Sequence, residues 1–371
     1  MIRKEGAVAV YKPVLFSIIG GASFRAQYYL RIAQALPDRF RVAGIVVRDG
    51  KRASEMGTKW NVAVYQKLDQ LLDAESPDFV VVSVSAYSSA GILVQLAEKG
   101  IPALAETPPG SSLEELSLLH AQLTLKDAKV QVAEQYFLHP MNAARLAIIE
   151  SGLLGDITQA TVSISHMYHG ASLIRKMLGI SFEEAEITAM RFASPIIAGP
   201  SRQGRPQKEE LITEERDMAW IEFDGKFGIY DFTKDQHRSW IRSNHLSVRG
   251  TTGELFDSGL SFLQDYDNPL YLELKRVNRG EQENQEGYFL EGIVAGERWV
   301  YRNPFAPARL FDDELAVAAC LQKMTEYISG GPSFYSIAEA SQDHYLGLLI
   351  EQSIVTGQKV KAVRQQWAQI N

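Results

Sequence analysis

The chain has 371 residues, 46% hydrophobic and 22% charged, with a formal net charge of −7. That length exceeds what one small core organises and points to two domains. The acidic balance excludes the basic face that nucleic acid needs, and a single cysteine, Cys320, excludes an internal disulfide or a cysteine metal cluster. Set among Ala318, Ala319 and Leu321, Cys320 reads as a small buried side chain. No apolar run approaches the ~20 residues of a membrane span, and the N-terminus lacks a signal-peptide core. A cytoplasmic chain with no membrane partner is expected.

The first element is the apolar run Val14–Ile19, which stops at Gly20 and Gly21. Phe24, Tyr28, Ile32 and Leu36 follow at a spacing of four and predict one helix face. Strand, glycine turn and helix are how an α/β fold opens a nucleotide site, with backbone N–H groups aimed at a pyrophosphate. The fingerprint G-x-G-x-x-G falls here on Gly20, Ala22 and Arg25, so on its own the turn is equally a plain strand-to-helix connection. Further apolar runs, 42–47, 62–65, 79–84, 101–105 and 129–132, alternate with helical stretches at 51–59, 66–73, 88–99 and 112–125. Ser112 and Glu115 are placed for a capping box. The alternation predicts a doubly wound parallel sheet, with its ligands at the carboxyl ends of the strands. That rim carries residues 20–25, 47–49, 84–87 and 106–108.

After Gln135 the texture changes. A helix is expected over 141–150, then strands at 156–166, 185–193, 217–223, 226–233, 244–250 and 270–277. Asp224-Gly225 and Thr252-Gly253 read as hairpin turns. Residues 199–215 read as a long polar loop, locally basic over 202–208, and helices are expected at 312–329 and 336–356. The result is an α/β chain: a Rossmann domain over 1–138, then an α+β domain over 139–371 with an open, mostly antiparallel sheet.

With the glycine turn, "Ala-Glu-Thr-Pro-Pro" at 105–109, "Ala-Glu-Gln-Tyr" at 133–136, the run from Tyr168 to Gly179 and the run from Gly331 to Ala340 in this order, the chain resembles the glucose–fructose oxidoreductase, inositol dehydrogenase and MocA family over nearly its whole length. The resemblance implies NAD or NADP in the Rossmann domain. It also implies a sugar, cyclitol or similar polyol in the second, and a homo-oligomer built through the second sheet.

For the cofactor, the resemblance places Gly20, Gly21, Ala22, Ser23, Phe24 and Arg25 at the phosphates, and Val84, Ser85, Glu106 and Thr107 along the rim. Arg48, together with Arg52, falls where the second strand ends and suits a 2′-phosphate, which favours NADP; Asp49 reaching a ribose would suit NAD.

For the chemistry, the resemblance puts Thr107 in the place of a catalytic lysine, Ser165 in the place of an aspartate and His169 on the family's histidine. His169 is the candidate proton-transfer group, against a structural role bonded to backbone. Tyr136 is a possible acid, against core packing, and Tyr168 a weaker one. His166 joins His169 on one side only if both lie on a helix; no third metal ligand is evident, so no metal is expected. Arg175 and Lys176 form a solvated face or grip an acidic substrate. Lys234, His237, Arg238 and Trp240 form a sugar-binding cluster or part of a subunit interface. Glu106 is expected to orient its loop. An NAD(P)-dependent oxidoreductase on a carbohydrate-like or other small polar substrate is the leading reading. A cofactor-retaining non-redox enzyme and a non-catalytic nucleotide- or sugar-binding protein are the alternatives.

Overall fold

The structure is a computed structural model that describes residues 12–280 and 288–368. Six strands, β1 (Val14–Ile19), β2 (Phe40–Val46), β3 (Val64–Tyr65), β4 (Phe79–Val82), β5 (Ala103–Ala105) and β6 (Val130–Val132), form a parallel sheet in the order β3-β2-β1-β4-β5-β6. Helices α1 (Ala26–Ala35), α2 (Gly50–Trp60), α3 (Leu68–Ala74), α4 (Ala86–Glu98) and α5 (Leu113–Leu125) connect them. All four residues of β4 are buried, as a strand covered on both faces requires. The order reverses between β1 and β4, and the crevice there is where such sheets take ligands.

Two local expectations change. Phe24 precedes α1 and is exposed, while Tyr28 and Ile32 are buried, so the helix face starts one turn later. The Ser112 hydroxyl accepts the Glu115 N–H at 3.2 Å, but the Glu115 carboxylate turns to the N–H and hydroxyl of Ser111. The reciprocal half of the capping box is therefore shifted by one residue.

A single 3₁₀ turn, Tyr136–Leu138, leads into α6 (Pro140–Glu150), β7 (Ile157–Ser163) and α7 (Met167–Leu178). The expected strand 156–166 thus ends early. Met167 takes a positive φ of 33° and its N–H meets the Tyr230 hydroxyl at 2.9 Å, which breaks the strand and starts the helix.

The second sheet continues with β8 (Ala185–Ile197), β9 (Leu211–Phe223), β10 (Lys226–Thr233), β11 (His245–Gly250), β12 (Gly253–Phe256), β13 (Gly259–Asp265), β14 (Asn268–Arg279), β15 (Phe289–Ala295) and β16 (Arg298–Arg302). α8 (Asp312–Ile328), α9 (Ile337–Thr356) and β17 (Val360–Ala362) close the chain. Eleven strands lie in the order β16-β15-β14-β13-β12-β11-β7-β10-β9-β8-β17, antiparallel except for β10 against β7. β12, β13, β15 and β16 were not expected, because their short alternations lack an Asn-Gly or Asp-Gly signal. The polar loop also shrinks to about residues 198–210, since Leu211 already pairs with Ile197.

α8 returns to the first sheet: Val317, Cys320, Leu321 and Met324 share a core with Phe16, Ala26 and Tyr29. The backbone at Tyr335 accepts the Val132 N–H at 2.9 Å, and the Gln131 side chain accepts the N–H groups of Phe334 and Tyr335. The first sheet ends at Val132 and the second begins at Ile157, while the cores interlock through the last helices. No helix among the described residues is long and apolar enough to cross a membrane.

Candidate active site

Two neighbouring regions build the site. The first is a cleft of about 730 Å³ over the β1–β4 crevice. Gly20, Ala22, Ser23, Arg48, Val84 and Ser85 line it, as the sequence predicts. Gly20 has φ of +81°, and a Cβ there would meet the Ser83 carbonyl oxygen at 2.1 Å; a Cβ at Gly21 would strike Ile45 at 2.7 Å. Both glycines are thus required by the tight turn against β4 and β2. Ser23 caps α1 by accepting the Ala26 N–H at 2.9 Å and bonds Ser83 at 2.8 Å. The N–H groups of Ala22, Phe24 and Arg25 make no hydrogen bond among the described residues, which leaves a donor set suited to phosphate oxygens. A dinucleotide therefore fits this cleft on its donors as well as on its place in the sheet.

At the far end of the cleft, Asp49 caps α2, accepting the Arg52 N–H at 2.8 Å. Arg48, Arg52 and Lys67 gather there, and none pairs with an acid among the described residues. Lys67 was invisible in the sequence, because only the fold brings the start of α3 beside the end of β2.

The second region lies past β5 and β6. Glu134, two residues beyond β6, is 1% exposed; its Oε1 accepts the Tyr136 N–H at 3.0 Å, and its Oε2 lies 2.5 Å from His169 Nδ1. Burial pushes the Glu134 carboxyl up to about 8 and the His169 imidazole down to about 3. Tyr136 packs on His169 with ring centroids 4.5 Å apart, and burial holds its phenol up near 12, so it is a neutral donor. His166 precedes α7 and His169 lies in its first turn, so the two share a side, 5.1 Å apart, with His237 5.8 Å from His166. Tyr168 stands 4.4 Å from His169. Ser165 is buried beside the Tyr136 phenol. His139 Nε2 lies 3.0 Å from Asp313 at the start of α8.

Glu106 accepts the Tyr29 hydroxyl, and Arg25 Nε reaches it at 3.2 Å. It ties α1 to the rim, as a loop-orienting group should. Arg25, expected over the phosphates, turns instead toward β5. Gly21, Phe24, Glu106 and Thr107 do not line the crevice itself.

The expected substrate residues separate. His166 and His237 join the cluster. Arg175 does not: it is buried and donates to the Ser181 and Glu339 carbonyls and to Asp343, which also accepts from Tyr335. Lys176 pairs with Glu339 at 2.7 Å. Both are turned inward by α9, a partner the local sequence does not reveal. Trp240 is 67% exposed on a loop beyond the cluster. Glu134 was the residue missed; the only sign of it was the "Ala-Glu-Gln-Tyr" motif already noted.

Residues 14–134 match the model of the oxidoreductase family with an NAD-binding Rossmann fold, GFO_IDH_MocA. No curated protein matches the chain. Among solved structures, an oxidoreductase from Agrobacterium radiobacter, in complex with NAD+, L-tartaric acid and magnesium, is 16% identical with a TM-score of 0.67, over 94% of this chain and 98% of that one. An NAD-binding oxidoreductase from Klebsiella pneumoniae is 15% identical, TM-score 0.68, over 95% and 100%. Levoglucosan dehydrogenase, in complex with NADH and levoglucosan, is 18% identical, TM-score 0.68, over 95% and 100%. These likenesses establish the two-domain fold.

Proposed function

We propose, for a chain whose first domain belongs to the Gfo/Idh/MocA oxidoreductases, that it exchanges hydride between NADP and a carbohydrate-like or other small polar substrate. The observation that carries this reading is the buried Glu134–His169 pair beside the dinucleotide cleft. A bound nicotinamide supplies the hydride donor or acceptor; the chain must supply the proton.

With the carboxyl raised and the imidazole lowered, the pair holds one proton at neutral pH. The protonated Glu134 donates to His169 Nδ1, which leaves Nε2 bearing a hydrogen. When Nε2 gives that proton to a substrate oxygen, the Glu134 proton moves to Nδ1. A neutral imidazole and a carboxylate remain. Oxidation of an alcohol runs the same path in reverse. Tyr136 adds a neutral hydrogen-bond donor, so the pair and the phenol together stand in for the charged lysine that Thr107 replaces. The cations Arg48, Arg52 and Lys67 at the adenosine end support NADP over NAD.

A homo-oligomer through the second sheet belongs to the same reading. Strand register places Phe256, Ser247, Thr161, Ile229, Trp220 and Thr188 in one row across the sheet. Phe256 and Trp220 are exposed in it, with Met190 and Phe192 beside them. Apolar groups in such a row favour burial against a second copy. Light scattering should give more than one chain per particle, and Trp220→Glu should reduce it to one.

The functional test is fluorescence titration with NADPH and NADH, followed by absorbance assays on sugars, polyols and their oxidised forms. NADPH binding with turnover is expected. A chain that binds neither dinucleotide overturns the reading.

A further inference from the structure

Arg25 ends the glycine fingerprint, yet its side chain is built into the catalytic region and not into the phosphate cradle. Nε donates to Glu106 at 3.2 Å, the guanidinium carbon lies 4.9 Å from the Tyr28 ring centroid, and the Tyr29 hydroxyl holds Glu106 from behind. Nη2 is buried with no hydrogen-bond partner, and Nη1 donates to no described residue. Arg25 is neutralised by Glu106 through Nε alone, and its remaining donors find no partner among the described residues, which suits this edge to a ligand.

The neighbours narrow that ligand. Glu106, which holds Arg25, and Glu134 follow the ends of the adjacent strands β5 and β6, where the Ala133 N–H donates to the Ala105 carbonyl at 2.8 Å, so Arg25 stands on the same rim as the proton-transfer pair. His169, Tyr136 and His166 are all held neutral there by burial. Arg175 and Lys176 on α7 are spent on Asp343 and Glu339, while Arg202 lies over the Phe24 ring at 5.0 Å. Arg25 does not line the dinucleotide cleft. The accessible, unpartnered Nη1 of a cation suits a carboxylate oxygen.

Building on the oxidoreductase reading, we propose that Arg25 grips a substrate carboxylate, which makes the site selective for hydroxy acids and sugar acids over neutral polyols. Nη1 donates to a carboxylate oxygen. Glu106 and Tyr28 hold the guanidinium in place, and the carbinol lies toward His169.

The test is calorimetric titration of the full chain, saturated with NADP+, by matched pairs: glycerate against glycerol, threonate against threitol, gluconate against sorbitol, and glucuronate against glucose. At least one acid should bind about tenfold or more tighter than its neutral partner. Arg25→Met should abolish that preference and Arg25→Lys should restore part of it, while both remain folded by circular dichroism and keep the wild-type NADPH affinity. Neutral partners binding as well as the acids, no acid binding, or acid preference surviving in Arg25→Met would each overturn the proposal. A loss of NADPH affinity of about tenfold in Arg25→Met would also overturn it, and would assign the edge to the cofactor's phosphates. Failure of wild type to bind NADPH is a separate result that sinks the oxidoreductase reading itself.

Discussion

Glu134 Oε2 and His169 Nδ1 lie 2.5 Å apart, one just past the end of β6 and the other in the first turn of α7. The contact joins the last strand of the dinucleotide sheet to the first turn of a helix in the second domain. The two groups also face burial in opposite senses: desolvation holds the acid protonated and the base unprotonated.

That pairing has a measurable titration. The pair loses its proton near pH 8, so nitrogen NMR of the histidine rings should show one transition there, absent in Glu134→Gln. Oxidation of substrate should rise with pH through about 8, because Nε2 must then accept a proton, and reduction should fall over the same range. The Glu134 value is raised on folding from an ordinary 4.5, so its contribution to stability is full below 4.5 and is lost as pH rises toward 8. Wild type should therefore lose melting temperature relative to Glu134→Gln between pH 5 and pH 9. His169→Asn should lower turnover about 100-fold or more with NADPH affinity unchanged.

At the other end of the cleft, Arg48 has no acidic partner among the described residues and sits with Arg52 and Lys67. A 2′-phosphate there would gain charge-assisted hydrogen bonds of about 1.5–3 kcal/mol each. Arg48→Asp should weaken NADPH binding about 10- to 100-fold and NADH binding much less. Fluorescence titration of both reads the ratio; equal affinities in wild type would remove the NADP preference.

The first domain was legible because its signals are local. An apolar strand, a glycine turn and an apolar helix face can each be read within about ten residues, and β4 is buried on both faces because Phe79–Val82 is apolar throughout. The second domain was less so. β12, β13, β15 and β16 are half-buried ribbons whose pairing partners supply the order. At the candidate site, His169, Tyr136, His166 and His237 were singled out from residue type and motif order. Glu134 looked like one acid among many, since its role depends on being sealed under α7. Arg175 and Lys176 looked free because their partners, Asp343 and Glu339, lie more than 160 residues away.

Arg175 is accordingly a stability residue. Its guanidinium and the Asp343 carboxylate are both buried, and Asp343 also takes the Tyr335 hydroxyl. Removing one member strands the other in a low-dielectric interior, which costs about 3–5 kcal/mol. Arg175→Met should lower stability by about that amount in denaturant unfolding. Arg175→Met with Asp343→Leu should recover part of it, because no buried charge is then left alone. Ligand affinity in the surviving folded fraction should not change, which separates this role from substrate binding.

Gly20 provides the complementary case, in which the cradle itself is altered without any charge being touched. The residue sits at φ of +81°, and the Cβ of an alanine would lie 2.1 Å from the Ser83 carbonyl oxygen. Ser83 directly follows β4 and cannot retreat, because its N–H is bonded to the Ile19 carbonyl at 2.9 Å. The turn must therefore lift, carrying the free N–H groups of Ala22 and Phe24 away from the phosphate position. Gly20→Ala should cost about 1–3 kcal/mol of stability and weaken NADPH and NADH to the same degree. That equality distinguishes it from Arg48→Asp, which acts on one dinucleotide. A Gly20→Ala chain with normal affinity for both would mean that the turn at the end of β1 is not where the phosphates are held.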